Sequence, residues 1–249
     1  AVAGNGRGGP MPQVLHQVAA RAELVLFGGG AGADGTLFRE GGLAMGRARR
    51  LGALALGALA KHMPQDGGNP IERWFDTLES AFDGPAGSAR RSGGVLAVCE
   101  LLRARPNAAR DHALCQKALG LLAPERESDA LVIASACDGL RRLSERRRLV
   151  WDVLEAGGET ARQSLLDHLY GLSKIVTSGL GDTKEAELGA ASRELVHSSW
   201  RLLGQLAAWS IDGAVECVDR LVTIGQQTVG EEAAAALGLA LAAACSDPA

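Results

Sequence analysis

From residue 70 to residue 245, apolar side chains recur every three or four positions in one segment after another. This spacing gives an α-helix one apolar face. Breaks rich in Gly, Pro, Asn or Ser separate the segments, as at residues 83–88 and 157–158. The pattern predicts helices at about 70–82, 88–104, 107–123, 127–143, 145–156, 159–177, 183–209, 211–225 and 229–245. None of the segments after residue 64 has the pattern of a parallel strand, so the chain is predicted to be all-α.

The longest segment, residues 182–209, is predicted to be the central helix of the core. Leu188, Leu195, Leu202 and Trp209 repeat every seven residues along one face. Asp182 precedes this stripe as a predicted N-cap. Elsewhere, Asn107 and Ser128 are the predicted N-caps of their helices.

Short breaks between helices favour antiparallel neighbours. Helix pairs recur at roughly 35–40 residues, which is the period of helical-repeat arrays. Aromatic residues make up only 4% of the chain and hydrophobic residues 47%, so Ala and Leu supply most of the core, as in closely packed helices. We expect about ten helices, in an irregular multi-helix bundle or a degenerate helical-repeat (HEAT-like) array.

A domain boundary is predicted at residues 64–70, where PQDGGNP clusters Pro, Gly and Asn. Residues 1–64 are expected to form a Gly-rich N-terminal arm with one or two helices, at 13–27 and 43–62. Residues 70–249 are expected to form the main helical domain.

Charge and hydropathy argue against two classes of partner. The net charge is −3, which does not favour nucleic acid or an anionic membrane surface. The longest apolar runs, residues 51–60 and 233–245, are shorter than the ~20 residues that span a bilayer. We therefore expect a soluble chain that binds no nucleic acid and has no membrane span.

Five cysteines are scattered through apolar helical segments: Cys99, Cys115, Cys137, Cys217 and Cys245. Their odd number and wide spacing favour reduced thiols in a reducing compartment over a disulfide framework. His112 and Cys115 are three residues apart, but no second ligand pair with metal spacing accompanies them. No metal site is predicted.

A glycine-rich stretch at residues 30–35 fits the G-x-G-x-x-G pattern of dinucleotide-binding loops. Such a loop opens a helix directly, whereas Gly41 and Gly42 intervene here. The pattern therefore indicates a loop, and no cofactor is predicted.

The strongest charge feature is five arginines in eight residues, which could contact an acidic protein surface or cap a helix end. A second candidate surface is Trp200 with Arg201, because Trp200 lies one position off the apolar stripe. The residues predicted to bind a partner are Arg141, Arg142, Arg146, Arg147, Arg148, Trp200 and Arg201.

The order WFDTLES (residues 74–80), then GGVLAVCELLRARPNAARDHALCQKAL (residues 93–119), resembles the helical start of bacterial effector ubiquitin ligases. The resemblance implies a catalytic C-x-D motif in the next loop. Here that loop, residues 122–131, has no cysteine, and Cys137 is followed directly by Asp138. No catalytic residue is therefore carried over from the family.

The preferred hypothesis is a non-catalytic helical protein–protein interaction module, since such folds bind partners without a chemical motif. Composition adds a further expectation, because Arg, Ala and Gly have GC-rich codons. They are typical of a bacterial protein, in the bacterial cytoplasm or delivered as a virulence effector to the host cytosol. The alternative is an enzyme with a thiol nucleophile, whose site would be assembled from distant helices.

Overall fold

The computed structural model describes residues 17–22, 26, 42–62, 70–83, 87–107, 109–123, 126–177, 190–207 and 209, which are helical with short connections and contain no strand. The all-α prediction is confirmed. The helices are α1 (17–22), α2 (Gly42–His62), α3 (Pro70–Asp83), α4 (Ser88–Ala104), α5 (Asp111–Gly120), α6 (Ala130–Ser144), α7 (Leu149–Ala156), α8 (Glu159–Thr177) and α9 (Ala190–Ala207).

Four helices pack side by side in an inner row, in the order α2, α4, α6, α9. In α4 and α6, Ser92 Oγ lies 2.5 Å from Ser135 Oγ, and Glu100 pairs with Arg142 further along both helices. The two helices therefore run in the same direction. Helices α2, α4 and α6 are two elements apart in sequence, as expected when consecutive helices reverse direction, whereas α6 and α9 are three elements apart.

Helices α3, α5, α7 and α8 form an outer row, in which α3 contacts the α5 region, α5 contacts α7, and α7 contacts α8. Arg110 Nη1 lies 2.6 Å from Asp76 Oδ1, and Lys117 Nζ lies 2.6 Å from Glu79 Oε1. These partners are 34 and 38 residues apart. Ser92 and Ser135, in the inner row, are 43 residues apart. Such separations match two-helix units of about 40 residues stacked on one another.

Helices α4 and α6 occupy the centre of the core, the position that we expected for residues 182–209. Every residue from 92 to 102 and from 132 to 140 is buried. Helix α9 packs at the side, against α6 and α8, with Leu202 and Leu206 fully buried. Helix α4, which is buried on all sides from 92 to 102, has no polar face, so hydrophobic periodicity does not mark it as central.

Glycine allows the inner helices to approach each other closely. A Cβ at Gly139 of α6 would lie 3.0 Å from Cys99 Sγ of α4, and one at Gly93 would lie 2.0 Å from the carbonyl oxygen of Leu26. Real Cβ atoms do not tolerate the second distance. Glycine at position 93 is therefore required for this packing.

The observed helix starts refine the predicted caps. The N-cap of α6 is Asp129, one residue after the predicted Ser128, and its carboxylate accepts hydrogen bonds from the amides of Leu131 and Val132. Asn107 opens the turn before α5, where its carboxamide oxygen accepts from the Ala109 amide.

Several predictions fall outside the described residues: the arm at 1–12, the glycine loop at 28–35, the break at 64–70 except for Pro70, the Asp182 cap and the helices at 211–225 and 229–245. The boundary at 64–70 stays a prediction, although α2 packs on α4. None of the described helices is long and apolar enough to cross a bilayer.

Candidate functional site

Two of the clustered arginines pair with buried carboxylates of neighbouring helices. Arg142 pairs with Glu100 of α4, which also receives Arg103 Nη2 at 2.7 Å. Arg147 Nη2 lies 2.5 Å from Asp111 Oδ2 at the start of α5. Both carboxylates are almost fully buried, where an unpaired charge would be strongly destabilising. These arginines therefore hold helices together.

Arg141 belongs to a second ion-pair network, between α2, α6 and α9. Its Nη2 lies 3.2 Å from Asp138 Oδ1, and Arg50 Nε lies 2.7 Å from Asp138 Oδ2. Arg50 Nη2 extends the network to Glu194 Oε1 at 2.7 Å. Burial lowers the pKa of Arg50, but the charges of Asp138 and Glu194 outweigh it, so its pKa is raised overall. The network fixes three helices of the inner row.

The remaining clustered arginines, Arg146 and Arg148, lie at the turn between α6 and α7. Arg148 Nε is 3.0 Å from Asp152 Oδ1, and its Nη2 is 3.0 Å from Glu155 Oε2. Arg146 is exposed, and no carboxylate of the described residues pairs with it. Partner binding by the cluster stays a prediction, and Arg146 is the member with the most accessible charge.

Trp200 lies in the core of the structure, with 6% of its surface exposed, and belongs to the apolar cluster. Its ring stacks on His197, with 6.2 Å between centroids. This burial leaves Trp200 little surface for a partner, in contrast to the predicted role. Arg201 is half-buried beside it. Binding at either residue stays a prediction.

Three of the cysteines are free thiols in the core. Burial raises the pKa of Cys115 to about 12, with the nearby Arg147 opposing the shift. Burial also raises the pKa values of Cys99 and Cys137 well above the ordinary thiol range. A thiol nucleophile needs a lowered pKa and access to solvent. The thiol-enzyme hypothesis therefore rests on Cys217 and Cys245, which lie outside the described residues.

Among the residues that the structure describes, no group of three or more His, Cys, Asp or Glu side chains could hold a metal ion. His112 is exposed on α5, whereas Cys115 is fully buried. The structure therefore does not bring this pair together as metal ligands.

A concave feature of the described residues lies beyond the last turn of α7. This helix has eight residues, against 19 in α8. It ends at Ala156 and is capped by Gly157, and Gly158 takes a positive φ of 83°, a conformation that glycine adopts readily. At 1.5 Å per residue, α7 is shorter than α8 by roughly 16 Å. The outer row therefore has a gap between α5 and α8.

We call this gap the α5–α8 groove. Its volume is about 590 Å³, within the usual range of ligand pockets. It is lined mainly by aliphatic side chains, with two histidines, a glutamine and a serine as the polar groups. The lining residues are His112, Gln116, Leu119, Gly120, Leu122, Ala123, Val153, Leu154, Ala156, Gly157, Ala161, Ser164, Leu165 and His168.

One guanidinium lies at the edge of the α5–α8 groove. A Cβ placed on Gly120 would be 3.0 Å from Arg126 Nη1 and 3.7 Å from its Cζ, so the Arg126 side chain lies over this glycine. Arg126 is exposed, and no carboxylate in the described ranges forms an ion pair with it. The edge of the groove therefore carries an accessible positive charge.

No pattern in the sequence predicts the α5–α8 groove. Its walls come from segments 40 to 50 residues apart that look like ordinary amphipathic helices. The available signal was the short segment 145–156 with its terminal glycine pair, which predicted a break but not the space beyond it.

No protein-family model, curated protein or solved structure matches this chain. Its function must therefore be inferred from the geometry and charges of its own side chains.

Proposed function

We propose that this chain is a non-catalytic helical interaction module that holds a helix of a partner protein in the α5–α8 groove. The observation that carries the proposal is the groove beyond the end of α7, which has eight residues and lies between α5, with ten, and α8, with 19. A helix added there would contact α5 and α8 as consecutive helices of the row contact each other.

The lining of the groove suits an amphipathic helix. Leu119, Leu154 and Leu165 supply aliphatic surface from three helices. His112 and Gly120 are eight residues apart on α5, so this wall is roughly 12 Å long, about two turns of a partner helix. An amphipathic helix binds such a groove through apolar side chains spaced at i, i+3, i+4 and i+7.

Other features of the chain support a binding role over a catalytic one. The buried, high-pKa thiols of Cys99, Cys115 and Cys137 are poor nucleophiles. The clustered arginines mostly pair with carboxylates of the same chain, which weakens the argument for a nucleic-acid surface. Delivery into a host cell as a bacterial effector stays a hypothesis based on composition.

Site-specific photocrosslinking tests the proposal. A benzophenone amino acid is placed at Gln116 in the groove and, in a separate chain, at Ala58 on α2. Both positions are exposed and helical, but only Gln116 lines the groove. After irradiation in lysate, we expect discrete adducts from Gln116 that are absent with Ala58.

A blocking variant completes the test. Ala161→Trp fills the groove from α8, and Ala58→Trp adds the same side chain to an exposed helical position outside it. The Gln116 adducts should disappear with Ala161→Trp and persist with Ala58→Trp. Adducts that persist when the groove is blocked, or that form equally from Ala58, would contradict the proposal.

A further inference from the structure

We infer that the partner helix carries carboxylate side chains on the flank that faces α5, where Arg126 selects them. This inference rests on the proposed function, since it names the chemistry of the helix that occupies the α5–α8 groove. It concerns specificity. An apolar groove of this size accepts many aliphatic side chains, whereas a charge at its edge discriminates between acidic and basic partner helices.

Arg126 differs from the arginines that hold the helices together. Arg142 and Arg147 pair with buried carboxylates, and Arg148 pairs with two acidic residues of α7. Arg126 lies over Gly120, at the groove, and within the described part of the chain it has no ion-pair partner. A guanidinium binds a carboxylate through two parallel N–H donors, so an acidic side chain is its best match.

The charges along the two walls of the groove indicate which flank of the bound helix is acidic. The α5 wall presents His112, Gln116 and Gly120 to the groove and includes no carboxylate. Glu159 and Asp167 are exposed on α8, next to Ser164 of the opposite wall. An acidic flank is therefore favoured toward α5 and disfavoured toward α8. This asymmetry sets the rotation of a bound helix about its own axis.

A displayed library of amphipathic helical peptides tests the inference. Each peptide is about 18 residues, or five turns, long and has a fixed Leu and Ala stripe. The positions on each flank vary among Glu, Lys, Gln and Ser. Four forms of the full chain serve as targets: wild type, Arg126→Glu, Arg146→Glu and Ala161→Trp. Arg146→Glu is the matched control, because Arg146 is also exposed and unpaired among the described residues but lies in the turn between α6 and α7.

With wild type, we expect selected peptides to carry Glu on one flank and to lose binding to Ala161→Trp. Arg126→Glu should weaken these peptides about tenfold and select Lys on the same flank, while Arg146→Glu should change affinity less than twofold. All four proteins should give the same helical circular dichroism, which excludes unfolding as the cause.

The remaining outcomes separate the two proposals. Groove-dependent peptides without a Glu preference, or with a preference that Arg126→Glu leaves unchanged, would overturn the role of Arg126 and leave the proposed function standing. An equal loss of peptide affinity with Arg146→Glu would also overturn the role of Arg126, because it would indicate that the positive charge acts through its general field and not at the groove edge. If no peptide is selected, or if Ala161→Trp binds as well as wild type, the proposed function itself fails.

Discussion

Removal of the carboxylate of Glu100 should destabilise the chain more than removal of any exposed acid. The Glu100 side chain is 2% exposed, Arg103 Nε donates to its Oε2 at 2.8 Å, and Arg142 of α6 pairs with Oε1. Without the Glu100 carboxylate, the guanidinium groups of Arg103 and Arg142, which are 15% and 20% exposed, lose this ion-pair partner. Breaking a buried ion pair from one side lowers the free energy of unfolding by about 3–5 kcal/mol.

The variant that isolates the charge is Glu100→Gln, which preserves shape and a hydrogen-bond acceptor. We expect it to lose most of this free energy, about 10 °C in Tm for a chain of this size. The matched control is Glu72→Gln, because Glu72 is 51% exposed and lies 3.4 Å from Arg110. Exposed pairs of this kind contribute less than about 1 kcal/mol.

Urea denaturation followed by circular dichroism measures both variants, with the free energy taken from the midpoint at a constant m value. Replacing all three residues by methionine, as Glu100→Met, Arg103→Met and Arg142→Met, should recover much of the loss, because no buried charge is then left unpaired. The reasoning is refuted if Glu100→Gln is no less stable than Glu72→Gln, since burial would then add nothing to the pair.

Three further predictions concern packing and thiols. Gly139→Ala should destabilise the chain by about 1–3 kcal/mol, because the added Cβ would lie 3.0 Å from Cys99 Sγ. Gly171→Ala in α8 should stabilise the chain by up to about 1 kcal/mol, because the added Cβ would meet no neighbouring group within 4 Å. Thermal denaturation compares the two variants. In a chain with Cys217→Ser and Cys245→Ser, a thiol reagent at pH 8 should label nothing in the native state and three thiols after unfolding. The folded pKa of Cys115 is raised from 9.0 to about 12, so the folded state holds its proton longer, and its contribution to stability is lost as pH rises through this window. Unfolding free energies from pH 8 to 11 should accordingly fall less steeply in Cys115→Ala than in wild type, by about 1.4 kcal/mol per pH unit above 9, and parallel curves would contradict the shift.

The helices were predictable because their limits are local properties of the sequence. The segment 159–177 coincides with α8, and 88–104 with α4. In both cases a break rich in glycine or polar residues precedes the helix, and such residues end a helix whatever lies around it. The period of roughly 35–40 residues was also visible, since it only requires two such helices per unit.

The roles of the charged residues were not predictable, because they depend on which helices become neighbours. Arg142 and Glu100 are 42 residues apart, and Arg147 and Asp111 are 36 apart. In sequence, these arginines form a basic run at a helix end, and nothing local indicates that they face inward. Only the packing of α6 against α4 and of α7 against α5 brings each one to its carboxylate.

The position of the α5–α8 groove depends both on local helix limits and on the packing of helices that are distant in sequence. The glycine pair after Ala156 ends α7 after eight residues, and this is a local effect. It produces a groove only because α5 and α8 continue on either side, which is a property of the row. In a helical-repeat array, a helix that is shorter than its neighbours leaves apolar surface on both of them without a partner. Comparing the lengths of equivalent helices along the repeat therefore predicts where such an array has room for a helix from another protein.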